Sequence, residues 1–297
     1  MKAKPVISVL AGALTALPLA SAGQNLFVST YGGNNILEYT PQGVQSTFAF
    51  GLSAPKGLAF DSTGNLFEAD YGSHNIYEFT PQGARSTFAS VGSPDGLAFD
   101  SAGNLFVGSY SSGAIYKITP QGTASLFAFP LSEPYHLAFD SAGNLFEADS
   151  ASGSIYEFAP QGVRSTFAQE PGGLYAGPTG VAFDKSGNLF VANNATGKIY
   201  EYTPQGVESI FASGLTDPYG LAFDGAGNLY AASYGGGLIY KFSPQGVESI
   251  FASGLPNPVG LAFAPATVPE PSAVAPALSG IGLLGVLFRH RRQDKEP

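Results

Sequence analysis

The sequence predicts an all-β fold, and within that class a propeller of six four-stranded blades, on three observations. The composition favours strands and tight turns over helices: 39 Gly, 22 Pro, 23 Phe and 15 Tyr stand beside one Met and 12% charged residues in 297. A Pro-Gln-Gly turn recurs from Pro41, Pro81, Pro120, Pro160, Pro204 and Pro244, at spacings of 40, 39, 40, 44 and 40. Two further markers keep this period: Asn-Leu from Asn25, Asn65, Asn104, Asn144, Asn188 and Asn228, and Leu/Val-Ala-Phe from Leu58, Leu97, Leu137, Val181, Leu221 and Leu261. A repeat near 40 residues in an all-β composition is the length of one blade.

The elements follow in chain order. Residues 1–22 carry Lys2 and Lys4, an apolar stretch, and Ala20 and Ala22 in an A-x-A cleavage pattern, which reads as a secretory signal peptide cut by signal peptidase after Ala22. The body, 23–267, is the repeat region. In one copy, Gly57–Phe60 alternates large and small side chains and suits a crowded axis. Asp61-Ser62-Thr63-Gly64 supplies a tight turn, Asn65–Asp70 a second strand and Asn75–Thr80 a third, and Thr80-Pro81-Gln82-Gly83 turns into the fourth, Ala84–Ala89. A two-residue turn there would set Glu78 opposite Arg85, Glu157 opposite Arg164 and Lys241 opposite Glu248. The body begins on a second strand, Asn25–Thr30, and its last copy stops after a first strand, Gly260–Phe263. One blade is therefore expected to combine both ends of the repeat region and close the ring, with no free sheet edge at the junction.

Residues 268–297 form a tail: Pro269-Glu270-Pro271, an apolar run at 273–288, then Arg289-His290-Arg291-Arg292. The run is expected to be a transmembrane helix, with the basic cluster holding its end in the cytoplasm.

Charge and cysteine content exclude several functions. Between 23 and 267 seven basic face nineteen acidic side chains, a balance of −12, so nucleic acid is disfavoured and a cationic or neutral partner is favoured. With no Cys, disulfides, thiolate metal sites and cysteine nucleophiles are absent.

In a four-stranded meander the turns after strands one and three share one face, and here they are nearly uniform. The loops after strands two and four share the other face and differ between copies, which makes that face the candidate for function. It carries Tyr31, Tyr71, Tyr110, Tyr135, Tyr219 and Tyr234, with Lys56, Asp95 and His136 next to the axis, and an insertion containing Tyr175. Aromatic rings beside polar groups can stack on sugars or enclose a small ligand, or simply pack over their own hairpins. His136 stands where the other five copies have Gly, so it is the best general-base or metal-ligand candidate, though no second histidine joins it. Glu68 and Glu147 replace apolar residues; each could hold a divalent cation with Asp70 or Asp149, or hydrogen-bond a tyrosine or an amide, the reading we prefer.

The motif P-x-G-L-A-F-D-x-x-G-N-L-F-x-x-D, followed by an I-Y-E-F strand, resembles the NHL repeat and, more loosely, the virginiamycin B lyase and gluconolactonase-like propellers. The lyases imply axial histidines with a metal, of which this chain offers one histidine; the lactonases imply a Glu before an inner strand, which it lacks. The tail resembles the PEP-CTERM sorting signal, which implies recognition by an exosortase-type membrane protease, transient anchoring, and delivery to the cell surface or medium; the same residues could serve as a permanent anchor. The function expected is an exported binding or scaffold module for an extracellular polysaccharide or peptide, without a cofactor. A metal-assisted lyase or lactonase and a purely structural envelope protein are the alternatives.

Overall fold

The Asp-x-x-Gly-Asn segments fold as tight turns because one carboxylate organises each. Asp61 Oδ1 accepts the amides of Thr63 and Asn65 at 2.9 and 2.8 Å, and the Asp61 amide in turn donates to the Asn65 carbonyl. Gly64 takes the left-handed φ of +89° that lets the chain reverse. The same bonds recur at Asp100, Asp140, Asp184 and Asp224.

In the computed structural model, which describes residues 23–170 and 177–265, these turns link twenty-four strands into six antiparallel four-stranded sheets. Blades 1 to 5 run in sequence over 55–90, 94–128, 134–169, 178–213 and 218–253. Blade 6 combines Pro258–Phe263 as inner strand with Leu26–Thr30, Asn35–Tyr39 and Gln45–Phe50. Its register pairs Leu26 with Phe263 and Val28 with Leu261. The inner strands meet in a closed cycle, each touching the next and the sixth touching the first. The fold is an all-β, six-bladed propeller closed by both ends of the repeat region, as the sequence predicts. The core lies between blades: Phe27, Phe67, Phe106, Phe146, Phe190 and Tyr230 on strand two each meet a Phe of their own strand four and one of the next blade's inner strand, edge-on at about 5 Å.

One expectation is corrected. The outer hairpin turn is longer than two residues: Thr80 accepts from Gly83 and donates to Ala84, which shifts the register by one. Arg85 therefore pairs with Phe79 and Arg164 with Phe158, while Glu78 and Glu157 oppose serines and Lys241 opposes Ser249. The two arginines instead lie over Tyr77 and Tyr156, at 5.0 and 4.8 Å from the ring centroids. The signal peptide with Ala20 and Ala22, Tyr175, and the tail with Pro269, Glu270, Pro271 and its expected helix lie outside the described residues. Among the described residues no helix is long and apolar enough to cross a membrane.

Candidate functional site

Each inner strand opens with Pro, followed in all but blade 3 by x-Gly, and the second residue is carried to the axis: Lys56, Asp95, Tyr135, Thr179, Tyr219 and Val259 in blades 1 to 6. Just past strand two, Tyr71, Tyr110, Ser150, Asn194, Tyr234 and Tyr31 form a second tier in the same blade order. The glycine after the middle residue is required by close packing. A Cβ at Gly57, Gly96, Gly180, Gly220 or Gly260 would sit 1.9–2.2 Å from a carbonyl oxygen of the next blade's inner strand.

Blade 3 breaks this rule. His136 replaces the glycine, and its Nδ1 lies 2.8 Å from the Thr179 carbonyl, the counterpart of the oxygen that elsewhere excludes a Cβ. The small Thr179 leaves room, and the imidazole packs edge-on against Tyr219 at 5.5 Å. Burial lowers the His136 pKa below 6.5, with Asp95 and the Thr179 carbonyl opposing and Lys56 assisting. Nδ1 facing a carbonyl carries the proton, so Nε2, buried and without a partner, is an acceptor.

The predicted tyrosines come together. Ring contacts of 5.5–6.1 Å run in an arc through Tyr71, Tyr110, Tyr135, Tyr219, Tyr234 and Tyr31. Lys56 sits inside, its Nζ 4.4, 5.2 and 5.8 Å from the centroids of Tyr71, Tyr135 and Tyr110 and paired to Asp95 Oδ2. Asp95 is fully buried and its Oδ1 has no partner. Burial, reinforced by the Asp95 charge, pushes the Tyr135 and Tyr219 hydroxyls up, so both are neutral donors and acceptors, joined by a hydrogen bond. Above them opens a cavity of about 390 Å³, lined by the six tyrosines, Lys56, Asn194, Asp217 and Val259.

Sequence reasoning missed Asn194, Asp217 and Glu133. Glu133 accepts the Tyr110 hydroxyl at 3.0 Å on Oε1, and its buried Oε2 is unpartnered. The signal was available: Glu133 and Asp217 stand directly before the inner strands of blades 3 and 5, which corrects the expectation that no Glu precedes an inner strand, and Asn194 occupies a tyrosine position of the second tier.

The candidate cation positions behave differently. Asp70 accepts the amides of Ser53 and Ser73 at 2.7 and 3.0 Å, and Asp149 those of Ser132 and Ser152 at 2.7 and 3.1 Å, so both carboxylates cap loops. Glu68 and Glu147 are fully buried, and the expected tyrosine or amide bond is absent: neither oxygen of either group has a partner. Burial first, and the neighbouring Asp70 or Asp149 charge second, hold both carboxyls well above the usual range. Among the described residues no cluster of three or more His, Cys, Asp or Glu could hold a metal.

Fold and mouth together define a six-bladed β-propeller with an aromatic cavity at one end of its axis. The chain is similar in structure to a propeller in a nidogen/laminin complex, with 21% identity and a TM-score of 0.74 over 83% of this chain and 100% of that one. It is also similar to virginiamycin B lyase from Staphylococcus aureus, with 15% identity and a TM-score of 0.63 over 84% and 93% of the two chains. A protein described as a gluconolactonase matches at 18% identity and a TM-score of 0.62, over 74% of this chain and 88% of that one. At these identities the likeness is one of fold. No curated protein sequence matches the chain. The tail, at residues 267–292, matches the PEP-CTERM protein-sorting motif, which implies export and processing by an exosortase.

Proposed function

We propose that the protein is an exported binding module with NHL-like blades whose ligand, an extracellular glycan or peptide, sits at the tyrosine-lined mouth. The supporting observation is that the six tyrosines, from five blades, converge on one cavity rather than packing over their separate hairpins. Ring faces stack on the C–H faces of sugars, and neutral hydroxyls beside Asn194 and Asp217 bond to hydroxyls or amides. The breaks in the sixfold pattern, His136 in place of Gly and Ser150 and Asn194 in place of Tyr, fall in blades 3 and 4, which gives the mouth a direction in which to read a ligand. On this reading residues 1–22 are removed as signal peptide, 23–267 form the working part, and 268–297 are processed near Pro269-Glu270-Pro271. Glycan-array binding by the wild type, lost in Tyr71→Ala and Tyr234→Ala, is the expected result; binding that survives both substitutions would sink the proposal. Intact mass of the exported protein checks the processing.

The buried lone pair of His136 Nε2 favours a second reading, a lyase or lactonase in which it takes a proton from, or holds a cation against, a ligand in the axis. Turnover unchanged in His136→Ala would remove it.

A further inference from the structure

Among the described residues, the buried side-chain atoms without partners divide into two sets. Four belong to the carboxyls of Glu68 and Glu147, away from the mouth cavity. The other four, Asp95 Oδ1, Glu133 Oε2, His136 Nε2 and Asn194 Oδ1, all belong to residues of blades 2, 3 and 4 on the mouth face, and all are acceptors. Asp95 and Glu133 are more than nine-tenths buried. A group that satisfies such a set has to bring donors.

Charge narrows the chemistry. The carboxylate Asp217 lines the cavity, the charges of Asp95 and Glu133 act on Tyr135 in its wall, and the one ammonium there, Lys56, is already paired to Asp95. Lys198 of blade 4 begins that blade's third strand and lies in the field of Glu170. His74 is engaged as acceptor of the Ser93 amide at 2.8 Å.

The tyrosine arc has two halves. In one, Tyr71, Tyr110 and Tyr135 surround the chain's own ammonium, with Asp95 as its counter-ion. The other, Tyr219, Tyr234 and Tyr31, has the same makeup, with Asp217 lining the cavity beside it. Among the described residues none of the chain's cations lies over those three rings.

We propose that the mouth selects a hydroxylated ligand bearing a primary ammonium group, an amino sugar with its amine free, over neutral and acidic sugars. The ammonium sits over Tyr219, Tyr234 and Tyr31 against Asp217, as Lys56 sits over the opposite three rings against Asp95. A ligand hydroxyl donates to Asn194 Oδ1, the one of the four unpartnered acceptors whose residue lines the cavity. A uronate brings its carboxylate to a cavity already lined by that of Asp217, and N-acetylation replaces three charged donors with one amide donor and one acceptor. This inference rests on the mouth being the ligand site.

The test is calorimetric titration of the purified full-length protein at pH 6 with three probes: the hexamer of β-1,4-glucosamine, its fully N-acetylated form, and a hexamer of galacturonate. The glucosamine hexamer is expected to bind at least tenfold more tightly than the N-acetylated form, and galacturonate not to bind. Asp217→Asn should abolish the preference; Asn tolerates the left-handed φ of +44° at this position, and an unchanged melting temperature verifies the fold. Equal or tighter binding of the N-acetylated probe, lost in Tyr234→Ala, overturns the ammonium inference and leaves the glycan-binding mouth standing. A preference retained in Asp217→Asn also overturns the inference. Glucosamine binding unchanged in Tyr234→Ala reveals general attraction to the acidic body and overturns both it and the mouth reading, whereas no binding by any probe overturns the ammonium inference alone, since the mouth reading also admits a peptide.

Discussion

Glu170 shows how one carboxyl ties stability to pH. It is buried, accepts from the Tyr202 hydroxyl, and has its pKa raised to about 7, by burial first, with the Tyr202 bond opposing and the Glu208 charge adding to the rise. A folded pKa above the ordinary 4.5 means that its contribution is fully present below 4.5 and is lost as pH rises through about 7. The ionised form then costs on the order of 3 kcal/mol. Glu170→Gln should therefore raise the melting temperature at pH 8 and leave it nearly unchanged at pH 4, in paired thermal melts. The opposite sign holds for His136, whose lowered pKa gives stability present above 6.5 and lost as pH falls. Glu68 offers a cleaner test, because Val28, Val107 and Val191 occupy its position in blades 6, 2 and 4, each fully buried. Glu68→Val removes two unpartnered oxygens and should stabilise by about 1–3 kcal/mol. A lower melting temperature would show that the carboxyl has a partner, such as a bound ion.

At the scale of the strand, the inner edge of each blade explains both what was legible in sequence and what was not. Period, turn chemistry and strand order could be read because they are local: an Asp, a Gly and an Asn at fixed offsets determine a turn whatever surrounds it. The register of the outer hairpin was misread because Thr-Pro-Gln-Gly admits more than one turn length, and the choice is made by a hydrogen bond that composition does not show. The tyrosines and Lys56 were legible as differences among copies on one face. The Lys56–Asp95 pair was not, since it joins residues 39 apart on neighbouring blades, nor was the lack of partners for Glu68 and Glu147. His136 was legible only as an exception to a glycine rule whose reason is the neighbouring carbonyl. That reason gives an asymmetric prediction. Gly180→Ala places a Cβ 1.9 Å from the Tyr219 carbonyl and cannot be relieved without parting two inner strands, so it should cost several kcal/mol and lower the urea midpoint strongly. His136→Gly, which restores the residue used by the other five blades, should cost far less, although it deletes a side chain.

For the whole molecule, stability depends on the ring being closed without a disulfide, since the chain has no Cys. The closure is made by Pro258–Phe263 lying against Leu26–Thr30, extended by the Ala264 amide donating to the Asn25 carbonyl at 2.9 Å and by Gln24 Nε2 donating to the Ala264 carbonyl at 2.7 Å. This strand also completes the axis: Val259 lines the mouth, and the Lys56 carbonyl lies 2.2 Å from where a Cβ on Gly260 would be. Removing it would bare the inner edge of Leu26–Thr30 and withdraw Val259, Leu261 and Ala262, all at least nine-tenths buried, from two blade interfaces. At the usual worth of buried aliphatic side chains the loss is on the order of 5 kcal/mol, comparable with the whole stability of many domains. Two truncations separate this closure from the sorting tail. A chain ending at residue 265 retains every bond of the closing blade and should melt like the full-length protein. A chain ending at residue 257 should melt well below it, or aggregate through the open edge, and should lose mouth ligands along with its fold. Circular-dichroism melts of the two decide the matter: equal melting temperatures would mean that the ring does not need its sixth inner strand, and that the closed cycle is not what holds the mouth in shape.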